Sequence, residues 1–108
     1  VARSAKVYPP DHLDHLTYRV LLGKLLVKSK QLARSRALFE DVLPLVEKQP
    51  DPLMLADVRA YLARSLGTTD VKRARGLAAV ARTAYLAAGS QRAPHLQLLD
   101  EFLATLPK

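Results

Sequence analysis

The chain has 108 residues, 49% of them hydrophobic, with no cysteine, no tryptophan and a formal net charge of +7. That length is one domain or one piece of a repeat array, and the missing cysteines exclude disulfides and thiolate metal sites. The basic balance admits an acidic peptide, a nucleic acid or an anionic membrane as partner and selects none of them.

Residues 1–8, VARSAKVY, are too short for a helix of their own and read either as the tail of a preceding repeat or as a disordered end. Pro9 and Pro10 stop any such helix. Asp11 then stands where a helix N-cap belongs, and Asp14 adds negative charge to the same positive helix end. Leu13, Leu16, Val20, Leu22, Leu25 and Leu26 recur at helical spacing, which predicts a first helix ending near Ser29-Lys30. Leu32, Ser35, Leu38, Phe39, Val42 and Val46 predict a second. The link is short enough to force the two into antiparallel contact. Pro44 removes one backbone hydrogen bond at a cost of roughly 3 kcal/mol, so a kink is expected there.

A second copy begins at Asp51-Pro52, 40 residues after Asp11 (51 − 11). Leu55, Val58, Leu62 and Leu66 form one face. Gly67-Thr68-Thr69 breaks the chain, and Asp70 caps the next helix, with Val71, Ala74, Ala78, Ala81, Tyr85 and Ala88 on its inner side. Gly89 offers a left-handed stop. Residues 94–106 form a last amphipathic helix through Leu99, Phe102, Leu103 and Leu106, read as an end cap for the array. The expected architecture is all-α: repeat 1 over 11–48, repeat 2 over 51–89 and the cap over 94–106.

These residues resemble the tetratricopeptide repeat, in the variant of kinesin light chains. Pro10-Asp11-His12 matches its entry loop, and Leu22-Gly23, Leu26, Ser35 and Phe39 match its packing positions. In the second copy Leu62-Ala63, Leu66, Ala74 and Ala78 do so. The usual Gly before the second helix is Lys30, and the usual Ala after the aromatic is Val42. The stretch LARSLGTTDVKRARGLAAVARTAYLAAG is similar to repeat regions at the C-terminus of bacterial, notably myxobacterial, serine/threonine kinases. The resemblance implies a right-handed α-solenoid and a non-catalytic scaffold in signalling that binds a protein or peptide on its concave side. By motif position that groove comprises Thr17, Val20, Leu21, Lys24, Lys28, Asp57, Ala60, Tyr61 and Arg64. Lys24, Lys28 and Arg64 would make it basic and suit an acidic peptide or helix, with Val20, Leu21 and Tyr61 as apolar anchor.

For chemistry the chain offers little. It has no Gly-x-Ser-x-Gly elbow and no Gly-rich phosphate loop, so neither an enzyme, a small-molecule substrate nor a cofactor is expected. His12 and His15, between Asp11 and Asp14, lie one helical turn apart, but a zinc site needs a third ligand, and helix capping explains the cluster better. Lys72, Arg73, Arg75 and Arg82 could touch phosphate, and a basic nucleic-acid-binding domain is the first alternative. Self-association is the second. No run of apolar residues is long enough to span a bilayer, and the expected location is the cytoplasm.

Overall fold

The computed structural model of the chain describes residues 13–48, 51–67 and 69–106, which hold five α-helices and one 3-10 turn. The helices are α1 (Leu13–Lys28), α2 (Leu32–Val46), α3 (Pro52–Leu66), α4 (Val71–Ala88) and α5 (Ala93–Thr105). The 3-10 turn, Gly89–Arg92, joins the last two. Among the described residues there is no strand, and no helix is long and apolar enough to cross a membrane.

The starts and stops follow from local chemistry. The Asp51 carboxylate accepts the Met54 N–H at 3.0 Å, and Asp70 accepts the Arg73 N–H at 3.2 Å. Each satisfies a donor that the helix itself leaves free. Pro52, in the first turn of α3, forfeits an N–H that had no partner to lose. Asp11 and the entry loop lie outside the described residues. At the end of α1 the Gln31 N–H reaches back to the Leu26 carbonyl at 2.8 Å and the Lys30 N–H to Val27 at 3.0 Å. This pair of bonds requires a left-handed residue between them, and Lys30 supplies it with φ +62°. The conformation that the repeat pattern assigns to glycine is therefore present, carried by a lysine. Gly89 also has positive φ, +67°, but the chain runs on into the 3-10 turn instead of a loop.

The expected helix through Pro44 forms and ends at Val46. Pro44 is exposed and sits in the last turn, where only the Glu40 carbonyl loses its intrahelical donor.

Consecutive helices pack on one another, and α1 also touches α3, as α3 touches α5. The inner faces expected for α2, α3 and α4 hold for the most part: Ser35, Phe39, Val42 and Val46, then Val58, Leu62 and Leu66, then Ala74, Ala78, Ala81 and Tyr85 are buried, whereas Leu38, Leu55, Val71 and Ala88 are half-buried and Leu32, at the start of α2, is exposed. Alanines on α4 let its backbone approach α3 closely. At the α2–α3 contact the Ser35 and Ser65 hydroxyls meet at 2.6 Å, and both lie within reach of a carbonyl one turn back, Leu32 and Tyr61 respectively. One hydroxyl donates to the other, and the acceptor is left to donate to its own helix. This satisfies two buried polar groups without a charge.

α1 departs from expectation. Its buried face is Leu16, Val20, Gly23 and Val27, not Leu22 and Leu25, which are exposed. Apolar side chains surround this helix, so its period alone does not say which side turns inward. Gly23 decides it. A Cβ there would collide with the Phe39 ring, whose Cε1 and Cε2 atoms would lie only 2.8 Å away. The missing side chain lets the ring seat itself against α1 and stack on Tyr61, with centroids 6.2 Å apart.

Candidate functional site

Asp57 projects from the buried side of α3 and is 3% exposed. A lone carboxylate at that depth would cost several kcal/mol. Its two oxygens are instead surrounded by donors. Tyr85 donates its hydroxyl at 2.8 Å, Lys24 its ammonium at 3.1 Å, and Arg92 two guanidinium N–H groups at 3.3 and 3.4 Å. α1, α3, α4 and the 3-10 turn thus converge on one side chain. Burial, and after it the Asp57 charge, push the Tyr85 phenol well above its ordinary pKa, so it acts here only as a neutral donor.

Both cations and Asp57 border a cavity of about 330 Å³, which a second acid, Asp51, also lines. Thr17, Val20, Leu21 and Lys24 line it from α1, and Asp57, Met54 and Arg92 from the other side. Five residues expected in the groove from sequence therefore share one cavity. Tyr61 and Arg64 lie along α3 around a smaller hollow with Ala60, Tyr85 and His95. Lys24 and Arg64 both sit over the Tyr61 ring, at 5.5 and 4.9 Å from its centroid, within cation–π range. Lys28 is exposed near the end of α1. Of the expected apolar anchors, Val20 and Tyr61 are each 4% exposed and serve the core, whereas Leu21 is 54% exposed.

Sequence reasoning missed Arg92. It lies between the expected stop at Gly89 and the last helix, and only its charge there hinted at a role. It also missed His95, which tilts against Tyr85 with centroids 5.9 Å apart and whose Nδ1 is buried without a hydrogen-bond partner. Burial lowers its pKa, the nearby Lys24, Arg92 and Lys28 lower it further, and Asp57 acts the other way.

The basic cluster on α4 is partly spoken for. Arg73 makes a two-pronged ion pair with Glu40 of α2, and that bond draws the Glu40 pKa down. Arg82 pairs with Asp100 of α5 at 2.8 Å. These are contacts between helices before they are a surface for phosphate. Among the described residues no group of three His, Cys, Asp or Glu could hold a metal ion, and the His12–His15 cluster lies outside the side chains described. No protein family, curated protein or solved structure matches the chain.

Proposed function

We propose that the chain is a non-catalytic protein-interaction module of tetratricopeptide-type helix pairs, the repeat region of a larger bacterial signalling protein such as a serine/threonine kinase. Its groove between α1 and α3 takes an acidic peptide or helix. The observation that carries this reading is the Lys24–Asp57–Arg92 arrangement at the cavity. A buried acid, Asp57, holds two cations in place at the opening; Asp51, which also lines the cavity, balances the second, so the positive field along the groove rests on Lys28 and Arg64. Lys24 has ammonium donors beyond the one given to Asp57. Such charges mainly steer a partner and orient it, and Leu21 adds an apolar contact.

The test is titration of a labelled peptide rich in glutamate and leucine, followed by fluorescence anisotropy, against the same peptide with lysine in place of glutamate. The acidic peptide should bind, weakening as salt rises. Lys28→Glu and Arg64→Gln should each weaken it severalfold, and Lys72→Glu on α4 should not. Lys24 and Arg73 are poor choices for charge reversal because each is paired with a carboxylate of the fold. Loss of binding with Lys72→Glu but not with the groove substitutions would refute the groove. Sequence-specific retention of nucleic acid would turn the reading to the alternative.

A further inference from the structure

The two ends of the described helix stack carry faces that none of the described residues covers. On α1, Tyr18, Leu22 and Leu25 form a stripe away from the side packed on α2 and α3, and they are 59, 39 and 61% exposed; Leu21, 54% exposed, flanks the stripe at the edge of the cavity shared with α3. Between Leu16 and Lys28, a span that Asp14 precedes, this helix carries no acid; of its cations Lys24 is paired with Asp57, which leaves Arg19 and Lys28. At the other end, the outer side of α5 is a shallow depression of about 530 Å³ lined by Ala93, Leu96, Gln97, Asp100, Glu101 and Ala104. α5 carries those two acids and neither lysine nor arginine; Arg82 of α4 already pairs with Asp100, so Glu101 is the acid this face offers. One face is bulky, apolar and basic. The other is hollowed by alanines, apolar and acidic.

We propose that these faces bind each other in successive copies of the chain, α1 of one molecule lying on α5 of the next. The leucines and tyrosine of α1 fill the hollow that Ala93 and Ala104 leave, and Lys28 or Arg19 approaches Glu101. The helices suit each other in length, about 24 Å for 16 residues and about 20 Å for 13. Pairing two α1 stripes would bring together two faces whose charges, from Leu16 to Lys28, are all positive. Pairing α1 with α5 brings opposite charges together. Because the two surfaces differ, the contact is head-to-tail and leaves one face free at each end of a pair, so further molecules can add to the helix stack. A contact of one helix on one helix falls at the small end of specific interfaces, so association belongs at concentrations on the order of 100 µM.

The test is sedimentation equilibrium of the full chain over a roughly hundredfold concentration range around that value. The average mass should rise past twice the monomer without a plateau, and less so in high salt. Leu25→Glu disables the α1 face, and Ala104→Arg disables the α5 face. Each variant alone should remain a monomer, yet an equimolar mixture should form a species of twice the monomer mass and no larger, because each supplies the face the other lacks. Circular dichroism confirms that both stay helical, and Tyr18→Glu replaces Leu25→Glu if the latter does not. A wild-type chain that stays monomeric overturns the proposal. So does Ala104→Arg that still dimerises, which would mean α1 stripes pair with each other, and so does a mixture that stays monomeric.

Discussion

Replacing glycine by alanine inside a helix normally stabilises it by about 0.8–1 kcal/mol, through the entropy of the unfolded chain. The chain has two helical glycines in opposite surroundings. Gly76 of α4 is exposed, and a Cβ there would have nothing within 4 Å. Gly76→Ala should therefore stabilise by about 1 kcal/mol, or raise Tm by about 4–8 °C for a domain of this size. Gly23 of α1 faces the Phe39 ring, which is fully buried and stacked on Tyr61, so the ring cannot swing into solvent to make room. Overpacking of this kind costs about 1–3 kcal/mol. Backbone entropy is common to both substitutions, so the difference between them isolates the collision. Gly23→Ala should lie about 1–3 kcal/mol below Gly76→Ala in urea unfolding. Phe39→Leu removes the colliding ring atoms, and on that background Gly23→Ala should regain the ordinary helical benefit. Equal stabilisation by both alanines in the wild-type background would show that the ring yields, and that the reason given for the orientation of α1 is wrong.

Lys30→Gly should stabilise by about 0.5–1 kcal/mol, because relief of a left-handed lysine outweighs the entropy that glycine adds, and a thermal melt reads it directly. Ala78→Leu, at the α4 contact where Ala78 is fully buried, should cost about 1–3 kcal/mol, whereas Ala79→Leu on the exposed side should cost little; equal effects would mean a different packing of α4. His95 is held below its ordinary pKa of 6.5 by burial, so the unfolded chain takes up its proton first. Its contribution is complete above that value and is lost as pH falls through 6.5 toward the lower folded value. Urea midpoints between about pH 7 and about pH 5 should therefore fall more steeply for the wild type than for His95→Leu.

Much of the fold was legible because single residues carried unambiguous physics. Asp51 and Asp70, each followed by an apolar period, could only be caps, and both cap as expected. The alanines of α4 and the Ser35–Phe39 pair marked close contacts, and they lie at them. The facing of α1 was not legible, since leucine or valine occupies almost every side of it and the deciding contact, Gly23 against Phe39, spans two helices. The groove was half legible. Alignment to the resembled repeat pattern grouped Thr17, Val20, Leu21, Lys24 and Asp57, but nothing local to Asp57 reveals that its partners are Tyr85 and Arg92, 28 and 35 residues away. Charge counting on α4 was incomplete for the same reason: the acids that answer Arg73 and Arg82 belong to other helices.

The four donors on Asp57 bear on how the molecule comes apart. A stack in which each helix leans mainly on its neighbours is free to fray from either end, one helix at a time. Asp57 works against that independence, since Lys24 reaches it from the first described helix and Arg92 from the turn that leads into the last. Peeling back either end strips a buried carboxylate of donors, and the penalty falls on the middle of the stack rather than on the departing helix alone. Opening at one end therefore weakens the hold on the other. Amide hydrogens around Lys24 and those of residues 89–92 should exchange with solvent through a shared opening, with matching protection, and Asp57→Asn should split that opening into two.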